Sequence, residues 1–407
     1  MQTNQLDPPP LLRGGCIEFP VHHVRGGTST GLVIGEHWAP AEQDLREELL
    51  RHLMGLPLDG TRAGNKQITG LGRIVPTGNK VFFARLESTG NGRRIVSTFA
   101  QLAADKAAVD WSVNCGNMTA ALPLWALDTG QVDPPDIGGS FEIDIYNTNT
   151  RVTAGSRMRV GADGAFVAAD IPGVDGSFPG VDLFLANPVG AKTGSLLPTG
   201  HAMDECAGYA VSCIDVAVPM VIARAADFSK SAHDKIEQLE ADRGFMETLR
   251  TVWVEAGLRM GLKGAGGRAM TADELANSET IPKICIVGPP QGAGHIAVRY
   301  FTPQSGHRSM AVSGGCCLAA AALIPGSVAH GVALGLPSVG AAFAEVDVGI
   351  ENPAGVLEAT IEARLASSGL EVRKAAYRRS TQILLRGSVP LYRASDALRG
   401  ALLPLCG

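Results

Sequence analysis

Two stretches far apart in the chain open in the same way. One is Asn114-Cys115-Gly116-Asn117-Met118-Thr119-Ala120-Ala121-Leu122 and the other is Ser313-Gly314-Gly315-Cys316-Cys317-Leu318-Ala319-Ala320-Ala321. Each reads as a turn of small residues that starts an alanine-rich helix. We read this echo as an internal duplication; the alternative is a coincidental likeness between small-residue helix starts. Two such halves, each presenting a helix N-terminus, would supply unpaired N–H groups and partial positive charge for an anion. The first copy also holds a thiol. A cysteine at a helix start has a lowered pKa and becomes usable in proton transfer near neutral pH, whereas a free cysteine elsewhere is usually a small buried hydrophobe.

A length of 407 residues exceeds one ordinary core, so two domains are expected. The net charge of -5, with no basic run, argues against a nucleic-acid partner. Fifty glycines beside only 5% aromatics suit many short strands and tight turns packed with aliphatic residues. The eight cysteines contain no CxxC pair, which indicates neither a zinc ribbon nor a disulfide framework. Met1–Pro10 carries no apolar signal core, and the apolar window Cys316–Ile324 is cut by Pro325-Gly326, so no membrane span is expected. A reducing cytoplasm is the simplest location.

The pattern predicts a strand over Phe19–Arg25 entering a glycine turn, then an amphipathic helix carrying Leu45, Leu49, Leu50 and Leu53. Strands are expected at Val81–Leu86 and at Phe141–Tyr146, where apolar and acidic residues alternate with period two. The turn-rich run from 185 to 200 is expected to carry the crossing between domains. Further strands are expected at Tyr209–Ile214, Met220–Ala225, Lys283–Val287, His295–Phe301, Val356–Ala363 and Gln382–Arg386. A helix is marked by Met246, Leu249, Trp253, Ala256 and Met260. Strict strand–helix alternation is missing, which disfavours a Rossmann sheet.

Two loops carry candidate chemistry. Arg25-Gly26-Gly27-Thr28-Ser29-Thr30-Gly31 offers N–H and hydroxyl donors suited to a carboxylate or phosphate, without P-loop spacing; a tight hairpin turn explains it equally well. Gly64-Asn65-Lys66-Gln67-Ile68-Thr69-Gly70-Leu71-Gly72 sets a lysine among glycines, where partial burial can turn it into a general base; an exposed loop lysine is the plainer reading. The run Gly261–Gly267 follows a helix and lacks dinucleotide spacing. The adjacent pairs His22-His23 and Cys316-Cys317 diverge on any regular element, so neither makes a metal site.

Taken together, the Arg25–Gly31 turn, the Lys66–Gly72 loop, Asn114–Asn117, Asn147–Thr150, Thr193–Gly200, Pro282-Lys283-Ile284 and the Ser313–Gly326 segment resemble the PrpF family. That family includes 2-methylaconitate isomerase, 4-oxalomesaconate tautomerase and methylitaconate Δ-isomerase. The resemblance implies an α+β, diaminopimelate-epimerase-like fold: two pseudo-symmetric domains, each a mostly antiparallel sheet around a central helix, with the active site between them. Its layout would be a flexible leader over 1–18, domains over 19–190 and 191–390, and a segment over 391–407 that packs back on the N-terminal domain.

The implied activity is isomerisation of a small unsaturated di- or tricarboxylate by allylic proton transfer, with no cofactor and no metal. A homodimer is also compatible with it. By this resemblance Lys66 and Cys115 transfer protons. Arg25, Gly26, Gly27, Thr28, Ser29, Gln67, Asn114, Gly116, Asn117, Met118, Ser313, Gly314 and Gly315 line the substrate. One departure stands out: Thr30 occupies the place where the family's first motif commonly has lysine, so one cation is absent there. Near Ala311 the chain also lacks the second cysteine of the amino-acid epimerases. The rival readings are a cis–trans isomerase or epimerase on the same fold, and a non-catalytic accessory to an aconitase-like dehydratase.

Overall fold

The computed structural model describes residues 7–90, 92–185, 187–264 and 267–407. Residues 1–6 of the expected leader, residue 186 of the expected crossing and residues 265–266 of the Gly261–Gly267 run lie outside them. The chain divides into two compact units. One comprises 1–170, 174–183 and 379–407; the other comprises 171–173 and 184–378.

In the first unit the strands are β1 (Leu11–Arg13), β2 (Cys16–Gly26), β3 (Ser29–Gly35), β4 (Lys80–Thr89), β5 (Gly92–Leu102), β6 (Val109–Asp110), β7 (Ser140–Asn147), β8 (Val152–Arg159) and β9 (Ala168–Ala169), followed by β10 (Phe178–Leu185), which runs on into the second unit. Its helices are α1 (Gln43–Met54), α2 (Gly116–Thr119) and α3 (Ala121–Asp128). Strands β2 and β3 pair antiparallel, β3 and β4 parallel, β4 and β5 antiparallel, β5 and β7 parallel, and β7 and β8 antiparallel. Each parallel pair requires a crossover. The crossovers are α1 between β3 and β4, and α2–α3 between β5 and β7.

The second unit holds β11 (Asp204–Cys206), β12 (Tyr209–Val216), β13 (Val218–Arg224), α4 (Ile236–Ala241), α5 (Arg243–Arg259), α6 (Ala272–Ala276), β14 (Lys283–Gly288), β15 (Ile296–Thr302), β16 (Ser305–Gly306), α7 (Val312–Ala322), α8 (Val328–Val332), β17 (Ala344–Asn352) and β18 (Gly355–Ala366). Its order of pairings is the same: β12–β13 antiparallel, β13–β14 parallel, β14–β15 antiparallel, β15–β17 parallel, β17–β18 antiparallel. The long strand β19 (Gly369–Pro390) pairs with β18 through its first half and with β2 through its second. The C-terminal helix α9 (Asp396–Leu402) follows it.

The two sequence echoes sit at matching places in this pattern, at the starts of α2–α3 and of α7. In α3 the residues Ala121, Leu122, Trp125 and Ala126 are fully buried, and in α7 every residue from Cys316 to Ala322 is. Helices apolar on all sides stay in place only when covered all round. The first is also broken in two: Pro123 has no N–H to donate to the carbonyl of Thr119, and the α2–α3 break falls at Ala120.

Alternation along β2 assigns its two faces. Ile17, Phe19 and Val21 join Leu32, Ile34, Val81, Phe83, Leu49, Leu53, Leu398 and Leu402 in one apolar cluster with α1 and α9. His22 and Gly26 face the other way, toward Asp128 at the end of α3 and Asn117 at the start of α2. Residues 11–18, expected within a flexible leader, instead form the β1–β2 hairpin, because Ile17 is fully buried in that cluster.

A carboxylate at a helix C-terminus is electrostatically unfavourable, yet Asp128 closes α3. Burial alone would raise its pKa. Two hydrogen bonds from the Arg386 guanidinium, with His22 Nε2 at 3.4 Å, overcome that and hold it at about 2. Stability from this pair is complete above the unfolded carboxyl pKa of about 4 and is lost as pH falls through about 2. Arg386→Met should therefore lower the thermal midpoint at pH 7, and the gap from wild type should close as melts are run down to pH 2. A gap constant over that range would show that the pair is not the cause.

Candidate active site

The glycines at 26 and 27 are required by close approach. A Cβ on Gly26 would lie 2.4 Å from the carbonyl oxygen of Asn117, and one on Gly27, whose φ is +54°, 2.5 Å from Asn117 Oδ1. The turn therefore rests directly on the first turn of α2. Thr28 is exposed at its tip, and its Oγ1 accepts a 3.1 Å hydrogen bond from Asn117 Nδ2. Asn117 Oδ1 in turn accepts from Arg379 Nε at 3.0 Å.

Cys115 is the residue before α2, with extended backbone and a half-exposed side chain. Its N–H donates to Asn114 Oδ1, and its carbonyl accepts from the backbone and hydroxyl of Thr119.

Several candidates are occupied by structural work. Arg25 is buried: it donates to the carbonyls of Gly27 and Ser380, lies 4.6 Å over the Phe178 ring, and has its pKa lowered by burial. It braces the turn against β19, while its Nη2 is buried without a hydrogen-bond partner among the described residues. Gln67, with φ of +53°, is also buried. Its Nε2 donates to Met54 O and Asn79 Oδ1, and its Oε1 accepts from the N–H of Ile74. The glycines of this loop close around that amide: a Cβ on Gly72 would sit 1.9 Å from Gln67 Nε2. Gln67, expected at the substrate, is the pin of its own loop.

Ser29 and Met118 are buried, while Asn114 and Gly116 are exposed. In the second unit Ser313 is half-exposed in the first turn of α7, but Gly314 packs against the Tyr300 ring and Gly315 against Leu357. Cys316 and Cys317 are fully buried in helix packing.

The two lysines differ sharply. Lys66 is exposed, and among the described residues no hydrogen bond or ion pair engages it or links it to Cys115. Lys80 is only 8% exposed. Since Val81 and Phe83 point to the α1 side, alternation turns Lys80 to the face that carries α2 and α3. Its Nζ donates to Gln101 Oε1 at 2.5 Å and stands 5.5 Å from the centroid of the Phe99 ring. Among the described residues no carboxylate pairs with it. Burying an unpaired ammonium is costly, and the sequence reading did not single Lys80 out. The signal was present: a lysine leads the strand Val81-Phe82-Phe83-Ala84, which is buried on both faces, so its alternation places Lys80 inward.

Among the described residues no group of three or more His, Cys, Asp or Glu is arranged to hold a metal. No helix there is long and apolar enough to cross a membrane. A cavity of about 370 Å³ in the second unit, lined in part by Leu323, Pro325, His330 and Leu336, contains none of the candidate residues.

Cys115 stands before α2 and Lys80 leads β4, and the chain that carries them is an isomerase. It belongs to the PrpF family, whose pattern, described as PrpF protein, matches residues 16–392. The 4-oxalomesaconate tautomerase of Pseudomonas putida is 32% identical over 321 residues, covering 78% of this chain and 83% of that protein. The (4E)-oxalomesaconate Delta-isomerase of a Novosphingobium species is 29% identical over 372 residues, covering 91% and 96%. The crystal structure of methylitaconate-delta-isomerase matches the fold with a TM-score of 0.74 over 95% of this chain and 97% of that one, at 24% identity. The mixed α/β architecture is thus that of a PrpF structure.

One further group borders the Gln67 loop. His23, on β2, is held neutral: burial first, and the nearby Arg73 charge second, push its pKa down to about 4. The unfolded chain takes up this proton near pH 6.5 and the folded chain only near 4, so stability declines as pH drops across that interval. His23→Gln should flatten the dependence of the thermal midpoint on pH between 6.5 and 4. An unchanged slope would remove His23 as its source.

Proposed function

We propose that the protein shifts a carbon–carbon double bond along a small unsaturated di- or tricarboxylate of the 4-oxalomesaconate, aconitate or 2-methylaconitate type by 1,3-allylic proton transfer. The observation that carries this reading is the buried, carboxylate-free ammonium of Lys80 on the sheet face where Cys115 heads α2. The names of the relatives supply the substrate class. Removing a proton from one allylic carbon leaves a dienolate, whose charge spreads onto a carboxylate or keto oxygen, and returning a proton at the other end completes the shift. A fixed cation beside that oxygen favours the transition state over the ground state. Cys115 and Lys80 together remove and return the proton, with Thr28 and Asn117 holding a carboxylate. We further read the chain as diaminopimelate-epimerase-like, two similar halves each built on one buried helix. The recurring order of strand pairings supports this.

Incubating the purified protein with these polycarboxylates in deuterated buffer, following ultraviolet absorbance and the position of the label, tests the reaction. Label entering at the allylic carbon with migration of the double bond is the expected result. Geometric inversion with no label points to cis–trans isomerisation, and label at an unmoved stereocentre points to epimerisation. Lys80→Met and Cys115→Ser should each lower kcat by about a hundred- to ten-thousand-fold, and Lys66→Met should leave kcat within about ten-fold of wild type. An inactive Lys66→Met beside an active Lys80→Met would return the proton-transfer role to Lys66.

A further inference from the structure

We propose that Arg379 is a positioning residue that, acting through Asn117, aims the hydroxyl proton of Thr28 at a bound carboxylate. The inference rests on the reading that an unsaturated polycarboxylate binds at this turn, and it assigns work to a strand residue that no sequence motif marked.

The geometry is a relay of three side chains. Arg379, only 8% exposed at the centre of β19, donates from Nε to Asn117 Oδ1 at 3.0 Å. A guanidinium can donate but never accept, so the amide of Asn117 has one allowed orientation, with its oxygen toward Arg379 and its Nδ2 toward Thr28. At 3.1 Å that Nδ2 donates to Thr28 Oγ1. The hydroxyl oxygen is therefore used as an acceptor, and its own hydrogen is left for another partner. Thr28 is exposed, and among the described residues its hydroxyl donates to nothing.

An anion at the tip of the turn meets that O–H as a donor. Without Arg379 the amide is free to flip, and its oxygen could then accept the Thr28 hydrogen and take it from the ligand. A cation at the head of the relay also polarises each hydrogen bond after it. The relay lies on a fixed base, since the backbone of Gly26 and Gly27 touches Asn117 and the N–H of Gly27 donates to Ser380 O, one residue along β19 from Arg379.

A double-mutant cycle on kcat/KM tests this, using Thr28→Val, Arg379→Gln and their combination, with thermal melts as a check on folding. Each single change should lower kcat/KM about ten-fold or more, mainly through KM. The double variant should be no worse than Thr28→Val alone, because Arg379 has nothing left to orient. Asn117→Asp, which still accepts from Arg379 but cannot donate to Thr28, should match Thr28→Val. Losses that multiply in the double variant, or a wild-type KM in Arg379→Gln, would overturn the relay. Should Arg379→Gln fail to fold, Arg379→Lys keeps the charge with a different donor geometry and enters the same cycle.

A readout free of substrate separates this inference from the functional one. In the wild type, the Asn117 side-chain amide should show an NMR proton protected from exchange, with the protection lost in both Thr28→Val and Arg379→Gln. Protection that persists in Arg379→Gln refutes the relay. A wild-type protein that turns over no polycarboxylate refutes the functional reading, and the amide signal then decides the relay by itself.

Discussion

Everything at the candidate site depends on one contact between backbones, where the β2–β3 turn meets the first turn of α2. With no Cβ at 26 or 27, the strand pair can press against the start of a buried helix, and that fixes where Thr28, Asn117 and Cys115 stand relative to one another. The supports are arranged around it. Arg25 ties the turn to β19 from one face, and Arg379 ties the helix to the same strand from the other. At the far end of the helix Asp128 is clamped by Arg386, again on β19. One long strand thus holds the start of α2 and the end of α3.

The division of labour among charged groups follows from burial. Arginine is used where a group must be held in several places at once, as with Arg25, because its planar fork donates in fixed directions and keeps its charge. Lysine is used at 80, where a compact ammonium with two neutral neighbours retains freedom to address a third partner. The loop from 64 to 79 is organised on the opposite principle. A neutral amide, Gln67, sits at its centre and satisfies two acceptors and a donor around it, so the loop holds its shape without any buried charge.

Much of this was legible in the sequence, for stated reasons. Phe19–Arg25, Val81–Leu86 and Phe141–Tyr146 lie within β2, β4 and β7, because alternation or continuous aliphatic character marks a strand whatever surrounds it. The paired helix starts at 114 and 313 were legible because all-round apolar runs have few other uses. Strands such as β5 and β8 were not read: Arg94, Arg157 and Arg159 interrupt their apolar pattern, and it is partners elsewhere in the fold, Glu87 and Asp182, that make them acceptable there. At the site, a motif names a segment but does not say which way its side chains point. Lys66 and Gln67 stand next to each other, yet one is in solvent and the other buried. Lys80 and Arg379 went unread because the side chains they touch, Gln101 and Asn117, lie on other elements.

The solitary ammonium of Lys80 has a consequence for the empty protein. Among the described residues the buried Lys80 ammonium meets a neutral amide and an aromatic face and no carboxylate, and a buried charge without a counter-ion costs the folded state free energy. An anion that reaches it relieves the burden in the folded chain alone. Ligand occupancy and resistance to unfolding are then two readings of one equilibrium. If that anion is the substrate proposed above, the side chain that meets it also makes binding a source of stability.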